Sequence, residues 1–195
     1  MRSGTRSLEG RTAVVTGGGT IVGRAIALAL SARGVRIVVT GRDERALGET
    51  VGEVVYGGGK ARHVVGDPSD PAHLRAAVER ATSVFGAPDI AVVADVSGAE
   101  TALRTLAEQL GSPGRLLLAH AAGPASGSTT LVRELARAVR ERAITCNAIL
   151  LEPASEEDAA DDAAELAVFL CSGTGDRITG QEIGVGQAAS PIAPA

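Results

Sequence analysis

The chain has 195 residues, 45% of them hydrophobic, which suffices for one compact domain with a sizeable core and leaves little for a second. Its 19 basic and 23 acidic residues give a formal charge of -4, and aromatic residues make up 2%, so it offers neither a basic field for nucleic acid or an anionic membrane nor rings for base stacking. No run reaches the roughly 18 apolar residues of a membrane span and Met1 to Gly10 is polar, which gives the expectation of a soluble, cytoplasmic protein.

Taken in order, the segments alternate between two periodicities. Thr12 to Val15 is a β-type run ending in Thr16-Gly17-Gly18-Gly19-Thr20, and an Ala/Leu-rich helical pattern continues from Ile21 until Arg33-Gly34 closes it. Val35 to Thr40 is a second strand, Glu44 to Val55 a second helix, and Ala61 to Val65 a third strand after the Gly57-Gly58-Gly59 break. Asp70 caps a helix with Pro71 at its first position that runs to Phe85-Gly86; Ile90 to Ala94 is the fourth strand, and Ala99 to Leu110 a helix capped through Asp95 or Ser97. Leu116 to Ala119, the helix Thr129 to Arg142 and the strand Ile144 to Leu151 follow. Ser155 caps a helix whose first turn, Glu156-Glu157-Asp158, is acidic, and Ile183 and Val185 mark a last short strand.

Near-continuous Val/Ile/Leu strands separated by helices predict an α/β fold, a doubly wound parallel sheet of about seven strands with helices on both faces. A single domain is expected over residues 8–187, followed by a flexible tail of small residues and prolines at 188–195. Cys146 and Cys171 lie in apolar surroundings with no metal-ligand partner at short spacing, so buried thiols are expected, with no metal site and no disulfide.

Five stretches in succession carry a resemblance. Arg11 to Arg33 looks like a first strand, a Thr-Gly-x-x-x-Gly-x-Gly loop and a first helix, and Val38-Val39-Thr40-Gly41-Arg42-Asp43 looks like a second strand with its cofactor-selecting turn. Gly66-Asp67-Pro68-Ser69-Asp70, Ile144-Thr145-Cys146-Asn147-Ala148 and Ile178-Thr179-Gly180-Gln181 continue it. Over nearly the whole chain the sequence resembles the short-chain dehydrogenase/reductase family, whose members bind NAD(P) on a Rossmann fold. The resemblance implies a Rossmann-like sheet with a cofactor against Thr16, Gly17, Gly19, Ile21, Gly23, Arg42 and Asp67. Physically, glycines let backbone N–H groups at a helix N-terminus close on a pyrophosphate. Gly17 and Gly23 fit the first and last positions, whereas the middle one is Ile21, which narrows the phosphate seat unless Gly18 and Gly19 let the loop take another path. Arg42, where an NAD-selective site would carry an acidic residue, would meet a 2′-phosphate and favours NADP(H); it could equally be a solvated arginine beside Asp43.

In the family a Tyr and a Lys four residues later, with a Ser at the end of the fifth strand, move the proton that accompanies hydride transfer. Here those positions fall near Ala121 and Ala125, and His120 stands about where the serine would be. Tyr56-Gly57-Gly58-Gly59-Lys60 matches the spacing, but three glycines make a poor helix and the segment leads into a strand, at the edge of the sheet opposite to the ligand side. His120 is thus the candidate acid or base, with Asp95 and Ser126 as its companions, although no carboxylate in its local sequence orients it; the competing reading is a strand-end histidine that only donates a hydrogen bond to a loop carbonyl. Three readings follow. The first is a non-catalytic, dehydrogenase-like subunit that pairs with itself or with a full-length member of the family, with Leu131, Leu135 and Val139 as a pairing stripe that could instead face the sheet. The second is an NADP(H)-dependent oxidoreductase, a ketoreductase using His120 with Asp95 or Ser126. The third is an NADPH-responsive sensor.

Overall fold

The computed structural model describes residues 7–94, 98–121, 128–151 and 156–186. The described strands are β1 (Thr12–Thr16), β2 (Arg36–Gly41), β3 (Ala61–Val65), β4 (Ile90–Val93), β5 (Arg115–Ala121), β6 (Thr145–Leu151) and β7 (Glu182–Val185). Between them lie α1 (Ile21–Ser31), α2 (Glu44–Tyr56), α3 (Pro71–Phe85), α4 (Ala99–Gln109), α5 (Ser128–Ala138) and α6 (Glu156–Cys171). The strands pair in parallel in the order β3-β2-β1-β4-β5-β6-β7. The chain starts at the centre, winds outward to β3, and returns to the other side of β1. That reversal between β1 and β4 makes the sheet doubly wound and opens a crevice beyond the carboxyl ends of the two strands.

Successive side chains of each strand enter different cores, as the period of two requires. Val15, Val39, Val92, Leu117 and Ile149 pack beneath α1, α2 and α6, while Val14, Val38, Ala91, Leu116 and Cys146 pack beneath α3, α4 and α5. Alanines 159, 163, 164 and 167 let α6 lie close against α1. Cys146 and Cys171 are fully buried, one in each core, and burial pushes both thiols up to about 12.

Two expectations are corrected. The fifth helix does not run to Arg142: it stops at Ala138, and a 3-10 turn at Arg140–Arg142 follows. The Arg142 guanidinium leaves that turn to donate to the carbonyls of Ala107 (2.6 Å) and Leu110 (2.5 Å), supplying donors that the C-terminal end of α4 lacks. Next, the stripe of α5 takes the second of its two readings: Leu135 and Val139 are buried with Val132 against the sheet, and the partly buried Leu131 packs on the same cluster. The helix α4 begins after Gly98, which is in a left-handed conformation (φ 71°); its expected caps, Asp95 or Ser97, lie outside the described residues. So do the Ser155 cap and the tail at 188–195. No described helix is long and apolar enough to cross a membrane.

Candidate active site

The first wall of the crevice is the turn between β1 and α1. Thr20 caps α1: its hydroxyl donates to the Gly17 carbonyl (2.8 Å) and accepts from the Gly23 N–H (3.1 Å). A Cβ on Gly23 would stand 2.1 Å from the Gly17 oxygen, so helix and turn meet backbone to backbone. Gly18 and Gly19 do not provide an alternative path for the loop. Added Cβ atoms would meet Val39 Cβ at 2.5 Å and Ala46 Cβ at 2.8 Å, respectively. The loop is also tied down, since the Gly18 N–H donates to the Thr40 carbonyl (3.2 Å) and the buried Thr50 hydroxyl donates to the Gly18 carbonyl (2.8 Å). Both glycines are therefore consumed by packing against β2 and α2. Ile21 opens α1 and is 45% exposed at the mouth of the turn.

The second wall is the turn after β2. Asp43 accepts from the Ala46 N–H (3.1 Å) and caps α2, while Arg42 Nη2 donates to Asp67 Oδ1 (3.0 Å). The same oxygen accepts from the Ser69 N–H (2.8 Å) and hydroxyl (2.7 Å). Arg42 first, and then the two Ser69 donors, hold the Asp67 carboxyl far below the ordinary carboxylate range. Beneath this pair the fully buried Thr40 hydroxyl meets His73 Nε2 at 2.5 Å, and desolvation lowers the His73 pKa against the opposing charges of Asp70 and Asp67. Between the two walls lies a cavity of about 200 Å³ lined by Gly17, Gly19, Thr20, Gly41, Arg42 and Asp43. It combines a capped helix N-terminus whose first turn has orphan N–H groups with a guanidinium at the strand end, which is the donor set of a phosphorylated nucleotide.

Further along the same edge, His120 is 4% exposed and points to the α5 side of the sheet. Its Nδ1 lies 3.0 Å from the Ala121 carbonyl, so Nδ1 carries the proton and donates it there. Nε2 is buried without a hydrogen bond among the described residues and faces Glu182 Oε2 at 3.8 Å. Glu182 also accepts from the Ser128 hydroxyl and from Thr129 Oγ1 (2.9 Å) at the start of α5. Burial pushes the Glu182 carboxyl up, but the hydrogen bonds from Ser128 and Thr129, with the charges of His120 and Arg133, outweigh it and leave the carboxyl below its ordinary value.

The carboxylate missing from the local sequence of His120 is thus supplied by β7, two strands away. The one signal for it was a charged residue opening an otherwise apolar strand, Glu182-Ile183-Gly184-Val185. Asp95 and Ser126 lie outside the described residues. Tyr56 ends α2 with 96% of its surface exposed, and Lys60 precedes β3 beside Gly10, Gly34 and Arg36, at the amino ends of the strands and away from the crevice.

A profile of the family described as short chain dehydrogenase matches residues 11–110. The chain is 36% identical over 87 residues to a cyclohexanol dehydrogenase of Acinetobacter sp. (strain SE19); the match covers 45% of this chain and only 35% of that enzyme. Among solved structures, a hydroxysteroid dehydrogenase from Escherichia coli superposes with a TM-score of 0.82 at 22% identity, covering 92% of this chain and 96% of that one. A short-chain dehydrogenase from Burkholderia cenocepacia J2315 in complex with NADP gives 0.80 at 23% identity, covering 92% and 98%. At such identities the superpositions speak for the fold, and the sequence match speaks for descent: the chain belongs to the short-chain dehydrogenase family.

Proposed function

We propose that the chain is an NADP(H)-accepting oxidoreductase, with the dinucleotide along the carboxyl ends of β1 and β2 and a proton handled at His120. The observation that carries this reading is the capped glycine turn facing Arg42 across the cavity, where Gly23 leaves no room for a Cβ and Thr20 leaves first-turn N–H groups to a ligand. In this reading the first turn of α1 holds the pyrophosphate, Arg42 meets a ribose phosphate, and Ile21 borders the crossing between the two halves of the ligand. The nicotinamide, when bound, supplies or takes up a hydride. His120 holds its Nδ1 proton on the Ala121 carbonyl and aims Nε2 at Glu182; Asp95 and Ser126, which follow β4 and β5 in the chain, complete the proposed set.

The relative named as a cyclohexanol dehydrogenase and the neighbour in complex with NADP support alcohol–carbonyl chemistry over the reading as a non-catalytic subunit. Pairing with a second copy or with a full-length relative belongs to the same proposal; it draws support from Phe169, exposed on α6, rather than from the core-facing stripe of α5. The test is consumption of NADPH with a panel of ketones and aldehydes. Turnover by the native chain that falls about 100-fold in His120→Ala supports the reading, and no consumption with any carbonyl at millimolar NADPH refutes it.

A further inference from the structure

The ion pair between Arg42 and Asp67 lies just beyond the paired ends of β2 and β3, where the Gly66 N–H donates to the Gly41 carbonyl (2.9 Å), and its side chains are about half exposed, at 56% and 48%. Asp67 does not drift with its partner. Ser69 fixes it through both its N–H and its hydroxyl, and Ser69 is itself wedged against the start of α4, where a Cβ on Gly98 would stand 2.4 Å from Ser69 Cβ. The carboxylate is therefore a stationary negative charge on the loop after β3, and the guanidinium reaches toward it from the turn after β2. Asp43, next to Arg42 in the chain, is engaged with the N-terminus of α2. Among the described residues lining the cavity Arg42 is the cation, and the Asp67 carboxylate pairs with it.

We infer that Asp67 is a specificity-determining residue: by offsetting the charge of Arg42 it keeps the cleft a weak discriminator between a phosphorylated and an unphosphorylated adenosine ribose, so that NADPH and NADH are both accepted. The inference rests on the cofactor reading above. A ribose phosphate entering the cavity either shares Arg42 with Asp67 or draws it away. At this exposure the pair resists by no more than a surface ion pair does, up to about fivefold in affinity.

Titrations of NADPH and NADH, followed by dihydronicotinamide fluorescence, test it in the native chain, Asp67→Asn, Arg42→Gln and the double variant. The native chain prefers NADPH by less than about tenfold, and Asp67→Asn raises that preference by up to about fivefold. Any effect of the carboxylate on the adenine ring is common to both nucleotides and cancels in the ratio. In the Arg42→Gln background the Asp67 change leaves the ratio within about twofold, because its effect passes through the guanidinium. A native preference above about a hundredfold, an unchanged or lowered ratio in Asp67→Asn, or an equal rise without Arg42 overturns the inference while leaving the cofactor reading in place. No binding of either nucleotide at millimolar concentration overturns both.

Discussion

The contact between Gly23 and the Gly17 carbonyl gives the account its sharpest mutational consequence. In an exposed helix, Gly→Ala gains about 0.5–1 kcal/mol because the unfolded chain loses freedom. Gly52, in the middle of α2 and exposed with nothing within 4 Å of an added Cβ, is such a site. Gly23 occupies the third position of α1, and there the new methyl would sit 2.1 Å from the Gly17 oxygen, 2.8 Å from its carbon and 3.2 Å from Gly18 Cα. All three are backbone atoms, and the loop that carries them is fastened to β2 and α2 by the Thr40 and Thr50 hydrogen bonds, so it yields only by straining those ties. Overpacking of this kind costs about 1–3 kcal/mol or more and outweighs the helix gain. Gly23→Ala should therefore lower Tm by several degrees and abolish NADPH binding, while Gly52→Ala raises Tm by about 1–4 °C. Differential scanning fluorimetry with and without NADPH reads both. A Gly23→Ala protein as stable as the native chain would refute the backbone contact, and with it the placement of the turn.

Other consequences follow from particular side chains. Cys146 and Cys171, whose thiols stand at about 12 in the fold against 9.0 ordinarily, should not react with a thiol reagent at pH 8 until urea unfolds the chain; rapid labelling of the native protein would contradict their burial. Because the unfolded thiols ionise first, stability should fall as pH rises from about 9 towards 12, which urea midpoints at successive pH values measure. Arg115, 2% exposed and paired with Asp176, should cost roughly 2 kcal/mol on change to Met; the loss is smaller than for a fully buried pair because Asp176 remains 35% exposed, and an unchanged urea midpoint would contradict it. Glu182, held below its ordinary value, contributes stability at neutral pH that is lost on acidification; Glu182→Gln should reduce the acid sensitivity of the fold, and an unaltered pH profile would sink that assignment.

The fold was legible because its signals are local. Apolar β-branched runs, the Asp70 cap, Pro71 and the glycine breaks each mark an element, and parallel pairing follows from their alternation. The glycine turn was legible in position but not in mechanism. Sequence could suggest freedom at Gly18 and Gly19, whereas only the approach of Val39 and Ala46 reveals them as spacers. Glu182 was beyond reach for a different reason: it joins His120 only when β5, β6 and β7 lie side by side, and no pattern along the chain encodes that juxtaposition. The end of α5 was misplaced because the interactions of Arg142 are tertiary, with α4.

Amide hydrogen exchange in the presence of NADPH addresses the central claim most directly. The account predicts added protection at Gly17 to Gly23 and at Arg42 to Ala46, with none at the strand-start segments Gly10 to Thr12 and Gly57 to Lys60. Protection confined to those strand starts, or none at saturating nucleotide, would contradict it.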